Sequence, residues 1–281
     1  GNLATLDLVE SAAYAPDGTT VLGGVDTITG DAGNDMLIGG TFGDILYGDN
    51  SGASAGASDG KDMLIGDNGR ISLSGDEDAV LTVLDSAVDE IFTTDFEAAS
   101  GGQDTMSGNA DGDIILGGVD DDTIYGDAAT TGTVDGDDII LGDNGVLDFA
   151  DDDTDYATLD LIESLLFTQD SIGGSDLIYG NQGNDIIIGA SVGDTIHGGG
   201  DGTENVDLRS VRTDFDLIIG DHGRIELIAN IPVRIETIAG NIGGNDYISG
   251  NENDDVIFGG TGDDTIDGNR HDDLILGDNG L

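Results

Sequence analysis

Sixteen aspartates fall into four quartets: Asp26, Asp35, Asp44, Asp62; Asp104, Asp113, Asp122, Asp138; Asp176, Asp185, Asp194, Asp216; and Asp246, Asp255, Asp264, Asp273. Two places after each stands an apolar residue: Ile28, Leu37, Leu46, Leu64, then Met106, Ile115, Ile124, Ile140, then Ile178, Ile187, Ile196, Ile218, then Ile248, Ile257, Ile266, Ile275. Carboxylates repeated beside glycine-rich turns offer hard oxygens. Together with exposed main-chain carbonyls they can supply the 6 to 8 ligands, at about 2.3–2.6 Å, that a calcium ion takes. Pairs such as Asp263-Asp264 also suit acid/base work, but they recur in every unit with no partner nucleophile and no unique cleft, so no catalytic residue is expected.

The unit that positions these carboxylates is nine residues long, G-x-x-x-x-D-x-(apolar)-x, as in Gly30-Asp31-Ala32-Gly33-Asn34-Asp35-Met36-Leu37-Ile38 and again from Gly39 to Tyr47. Its first six residues turn the chain, glycine allowing the positive-φ conformations of a tight loop. The last three form a short strand whose middle side chain points inward. Two units complete one coil, so turns 18 residues apart stack at about 4.8 Å, close enough for one ion to bridge coil to coil. Asp255 with Asp273, and Asp246 with Asp264, flank the cleanest of these bridges, because the units starting at Gly250, Gly259 and Gly268 run without interruption.

The repeat resembles the repeats-in-toxin (hemolysin-type calcium-binding) family, whose nonapeptide is G-G-x-G-x-D-x-U-x. Gly180-Asn181-Gln182-Gly183-Asn184-Asp185-Ile186-Ile187-Ile188 and Gly259-Gly260-Thr261-Gly262-Asp263-Asp264-Thr265-Ile266-Asp267 carry the resemblance best. It implies an all-β, right-handed parallel β-roll or β-solenoid with several bound Ca2+ ions. It further implies that loop residues lend main-chain carbonyls, among them Gly33, Gly183, Gly262, Asn34, Asp121, Asn184, Asp254, Asp263 and Asp272. Secretion to the cell exterior or surface, with folding only where calcium is plentiful, is part of the same implication.

Each quartet opens on a unit two residues short of this pattern, such as Gly101-Gly102-Gln103-Asp104 or Gly173-Gly174-Ser175-Asp176, where calcium is a weaker expectation. Insertions at about 49–61, 127–137 and 199–215 read as surface loops. After each fourth unit comes a signature, Gly66-Asp67-Asn68-Gly69, Gly142-Asp143-Asn144-Gly145, Gly220-Asp221-His222-Gly223 or Gly277-Asp278-Asn279-Gly280, followed by alternating segments. Residues 224–238 pattern as a hairpin, and 70–98 and 146–172 fit similar pairs; Tyr156 to Phe167 also fits a short helix. The chain therefore reads as one continuous solenoid segment of nested repeats, approximately 1–66, 67–142, 143–220 and 221–281, with both ends inside an insert, as in a piece of a longer array.

The strands of the second and fourth units are apolar throughout, MLI, IIL, III and VIF, then MLI, IIL, LII and LIL, so one sheet is apolar on its outer face too. Inserted hairpins or a neighbouring chain must cover it. The charge of −52, from 7 basic and 59 acidic residues, demands counter-cations and argues against nucleic acid or anionic membrane surfaces as partners. Direct membrane insertion is not expected, since no apolar run approaches the ~18 residues of a spanning helix. His197, His222 and His271 sit at unrelated places on the repeat and read as surface or loop residues. The functional expectation is a calcium-binding structural module of an adhesin, surface layer or filament; the alternative is the repeat region of a secreted toxin or hydrolase whose catalytic domain lies elsewhere.

Overall fold

The computed structural model describes residues 8–49, 60–73, 88–127, 136–149, 158–166, 172–199 and 215–280. Among the described residues the regular structure is strand, arranged in three sheets. Most of the inserted loops at 49–61, 127–137 and 199–215 lie outside these residues.

Three-residue runs such as Thr27–Thr29 and Met36–Ile38 follow each sixth-position aspartate, and their β-branched and aliphatic side chains suit a pleated surface. Strands of the first and third units form one parallel sheet of eight. In its register Ile28, Leu46, Met106, Ile124, Ile178, Ile196, Ile248 and Ile266 lie opposite one another. Strands of the second and fourth units form a second parallel sheet of eight, aligning Leu37, Leu64, Ile115, Ile140, Ile187, Ile218, Ile257 and Ile275. The two rows meet as a single core, and Ile115, Ile124, Ile140, Ile178, Ile187, Ile196 and Ile218 are wholly buried. Each such side chain contributes about 1.5–3 kcal/mol relative to exposure. This is the expected parallel β-roll.

The third sheet is antiparallel and comes from the segments inserted after each fourth unit: Leu8–Glu10, Gly69–Leu73, Val88–Thr93, Gly145–Asp148, Leu161–Ser164, Gly223–Ile228 and Ile231–Thr237. It lies on the outer face of the second sheet. Its inward residues Ile71, Ile91, Leu147, Ile162 and Ile225 pack with Ile65, Leu116, Leu141, Ile188 and Ile219 in one buried cluster. The chain's own inserts are thus the cover that the apolar face requires. Gly69, Gly145 and Gly223 permit this approach, since a β-carbon on any of them would collide with Ile65, Leu141 or Ile219 beneath. At the mouth of each insert a hydroxyl accepts the N–H of that glycine: Ser11 for Gly69 at 3.0 Å, Thr93 for Gly145 at 3.1 Å, Ser164 for Gly223 at 3.0 Å and Thr237 for Gly280 at 2.9 Å.

Inserts pair with their neighbours as well as within themselves. Val88–Thr93 pairs with Gly145–Asp148, and Leu161–Ser164 with Gly223–Ile228. The helical alternative for the stretch from Tyr156 to Phe167 is overturned where it is described, because Leu161–Ser164 is a strand held on both edges. Tyr156 and Phe167 themselves lie outside the described residues.

Candidate metal centres

Twelve of the sixteen sixth-position aspartates are at most 2% exposed; the other four, Asp26, Asp35, Asp264 and Asp273, belong to the first and last coils. Burial on this scale would be prohibitive for free carboxylates. One oxygen of each of these twelve is accounted for by a ladder. The Asp26 N–H donates to Asp44 Oδ1 at 2.6 Å, Asp44 to Asp104 at 2.6 Å, Asp104 to Asp122 at 2.8 Å, Asp122 to Asp176 at 2.8 Å, Asp176 to Asp194 at 2.9 Å, Asp194 to Asp246 at 2.9 Å and Asp246 to Asp264 at 3.1 Å. A second ladder runs Asp35, Asp62, Asp113, Asp138, Asp185, Asp216, Asp255, Asp273 with N–H to Oδ1 distances of 2.7–3.1 Å. The predicted stacking of Asp246 on Asp264 and of Asp255 on Asp273 is therefore present.

The second oxygen is the informative one. In Asp35, Asp44, Asp104, Asp113, Asp122, Asp138, Asp176, Asp185, Asp194, Asp246, Asp255 and Asp264, Oδ2 is buried with no hydrogen-bond partner. It points across the loop at the glycine that opens the unit, beside the carbonyl of the opening glycine one coil on. A β-carbon on Gly39 would collide with Asp44 Oδ2 and the Gly66 carbonyl, one on Gly180 with Asp185 Oδ2 and the Gly198 carbonyl, and one on Gly189 with Asp194 Oδ2 and the Gly220 carbonyl. Glycine is required there for space.

Burial pushes the Asp104, Asp246 and Asp255 carboxyls up to about 8. Asp113, Asp122, Asp138, Asp176, Asp185 and Asp194 are also driven well above the usual carboxylate range, first by desolvation and then by neighbouring aspartates such as Asp216 beside Asp185. A cation answers that environment directly. Among the described residues no three acidic or imidazole groups converge on one point, so an ion between coils would complete its shell from main-chain carbonyls. Bare carboxylate oxygens with carbonyls, and no sulfur or nitrogen, are the donor set of calcium rather than zinc.

The outer loop residues occupy the crest. Gly33, Gly183 and Gly262 hold φ of 116°, 126° and 142°, the left-handed region that glycine adopts freely, at the fourth position of their loops. The fifth-position side chains build a second, exposed ladder. Asp121 accepts the Ser175 N–H at 2.9 Å, Asp254 accepts the Asp272 N–H at 2.9 Å, the Asp263 N–H donates to Asn245 at 2.8 Å, and Asn184 bonds Asp137 at 2.9 Å. Asn34 lies where its Oδ1 would meet a β-carbon placed on Gly60 of the next coil.

Three of the four shortened opening units prove to be complete. Gly66 meets Asp104 Oδ2 and the Gly117 carbonyl as Gly117 meets Asp122 Oδ2 and the Gly142 carbonyl, so Gly66-Asp67 supplies the first two positions of the loop that ends at Asp104. Gly142-Asp143 likewise completes the loop ending at Asp176, and Gly220-Asp221 that ending at Asp246. Each insert is spliced between the second and third positions of a nonapeptide loop. The signature is the broken first half of that loop, followed by the first residues of the insert.

The histidines depart from expectation at one place. His222 is wholly buried, its Nδ1 3.1 Å from Ser164 Oγ and its Nε2 3.3 Å from Ser191 Oγ, joining an insert to a roll loop. His271 accepts the Asn253 N–H at the loop crest. His197 stacks on Tyr179, which stacks on Tyr125, with ring centroids 5.0 and 5.1 Å apart.

Comparison with known families agrees with this geometry. The profile of the RTX calcium-binding nonapeptide repeat matches residues 21–50, 99–129, 173–196, 243–266 and 249–280. A search of curated proteins returns no match to the chain.

Proposed function

We propose that this chain, which belongs to the RTX calcium-binding nonapeptide-repeat family, serves as a calcium-folded structural module of a secreted or cell-surface protein, an adhesin, surface-layer or filament component. The observation that carries the proposal is the pair of aspartate ladders running unbroken through every coil, each rung with the same bare buried oxygen in its neighbourhood. A catalyst concentrates its chemistry in one asymmetric place. Here one environment repeats along the whole body, which supports a scaffold rather than an enzyme.

The sixteen ladder aspartates would each supply a side-chain oxygen, and the loop carbonyls the rest. Bound calcium would neutralise the carboxylates and cross-link adjacent coils, so that its binding free energy becomes folding free energy. The nested repeats, approximately 1–66, 67–142, 143–220 and 221–281, would then form one solenoid segment, open to self-association end to end.

A calcium titration followed by far-UV circular dichroism, with magnesium as control and light scattering in parallel, tests the proposal. Cooperative gain of β signal with calcium alone supports it, and concurrent growth of long particles supports assembly into filaments. A β signal indifferent to chelator would overturn the switch.

A further inference from the structure

We propose that Asp143 and Asp221, second-position aspartates of interrupted loops, are internal staples that join neighbouring coils through their carboxylates without a metal ion. In uninterrupted loops the second position is left-handed: Asp31 at φ 71°, Asn109 at 86°, Asn181 at 75°, Ala190 at 89°, Asn251 at 73° and Asn269 at 65°. Neither of these two, nor Asp67 or Asp127 at the same place in other interrupted loops, adopts that conformation. Their side chains turn instead toward the following coil. Asp67 Oδ2 accepts the Val119 N–H at 2.6 Å, Asp127 Oδ2 the Gln182 N–H at 3.2 Å, Asp143 Oδ2 the Ser191 N–H at 2.6 Å, and Asp221 Oδ2 the Thr261 N–H. All four donors are the third residue of the next coil's loop.

Asp143 and Asp221 go further. Their Oδ1 atoms accept the Gly174 and Gly244 N–H groups at 2.9 and 2.8 Å, on the far side of the insert, so each carboxylate also closes the loop that the insert divides. With both oxygens facing N–H donors, the positive ends of those dipoles stand where a cation would have to approach. The ladder aspartates, and Asp67 at its Oδ1, instead keep one oxygen bare. An insert can thus be spliced into the roll because the residue just before the splice replaces lost loop continuity with charge-assisted hydrogen bonds.

The test uses Asp143→Asn and Asp221→Asn in the whole chain, with Asp185→Asn as comparator. Equilibrium dialysis counts calcium ions per chain, and hydrogen exchange reads the Ser191 and Thr261 amides. The staple variants are expected to keep the full ion count while exchange at those amides accelerates on the order of tenfold, the effect of weakening a hydrogen bond to a charged group. Asp185→Asn is expected to lower the count. Fewer ions in the staple variants, or unchanged exchange at both amides, would overturn the proposal. If either variant does not fold at saturating calcium, Asp143→Glu and Asp221→Glu, which keep the charge but displace its oxygens, are held to the same two readouts.

Discussion

An aspartate with one oxygen tied into a ladder and the other buried bare can be satisfied by a cation, by a proton or by unfolding. The three outcomes separate by pH. Because the folded-state values of Asp104, Asp246 and Asp255 are raised to about 8, the metal-free fold binds more protons than the unfolded chain, whose aspartates titrate near ~3.9. Their contribution to metal-free stability is present below that unfolded value and is lost as pH rises through about 8. In chelator, therefore, β signal should be gained on going from pH 8 to pH 5, read by circular dichroism. With calcium present the proton competes for the same oxygens, and the calcium needed for half-folding should rise over the same descent. At the single-residue level Asp185→Ala, which removes a rung as well as the bare oxygen, should destabilise the calcium-loaded fold more than Asp185→Asn, by roughly 1–3 kcal/mol for the unsatisfied Asp138 N–H left behind. Denaturant unfolding of the two variants checks it. The ladder aspartates were legible in the sequence because every rung demands the same residue at the same spacing. The role of Asp143 was not, since the two halves of its loop stand on either side of an insert and only the fold brings Gly174 to it.

At the level of elements, the middle sheet is packed on both faces, which explains why its strands are apolar at all three positions while those of the first sheet alternate. Truncating a residue on either face should therefore be costly. Ile187→Ala, toward the roll interior, and Leu141→Ala, toward the third sheet, are each expected to lose about 2–5 kcal/mol. Tyr125→Ala, on the uncovered face of the first sheet where it stacks on Tyr179, should lose about 0.5–1.5 kcal/mol from the aromatic pair, plus what its partial burial adds. Thermal unfolding in saturating calcium ranks them. Gly180→Ala tests a different feature, since its β-carbon would meet both the Asp185 oxygen and the Gly198 carbonyl; it should weaken calcium binding at that loop beyond any loss of stability. Alternating patterns revealed the inserted hairpins in advance, and the apolar triplets revealed that a face needed covering. Pairing between one insert and the next did not show, because Val88–Thr93 and Gly145–Asp148 belong to different repeats and no turn signal links them.

For the molecule as a whole, a formal charge of −52 and a core only two side chains thick place the burden of folding on the ions. Small-angle scattering in chelator at neutral pH should give a radius of gyration near the roughly 60 Å of an unfolded chain of this length, swollen further by self-repulsion. Calcium should contract it in one cooperative step, since each coil contacts only its neighbours and the ions act at those boundaries. The rungs also have a direction. In every one, the amide of the earlier coil gives its proton to the carboxylate of the later coil. In these rungs a coil at the carboxy-terminal end brings the accepting carboxylate, whereas one at the amino-terminal end brings the donating amide. The two ends of the roll thus present different chemistry to the coil that would follow.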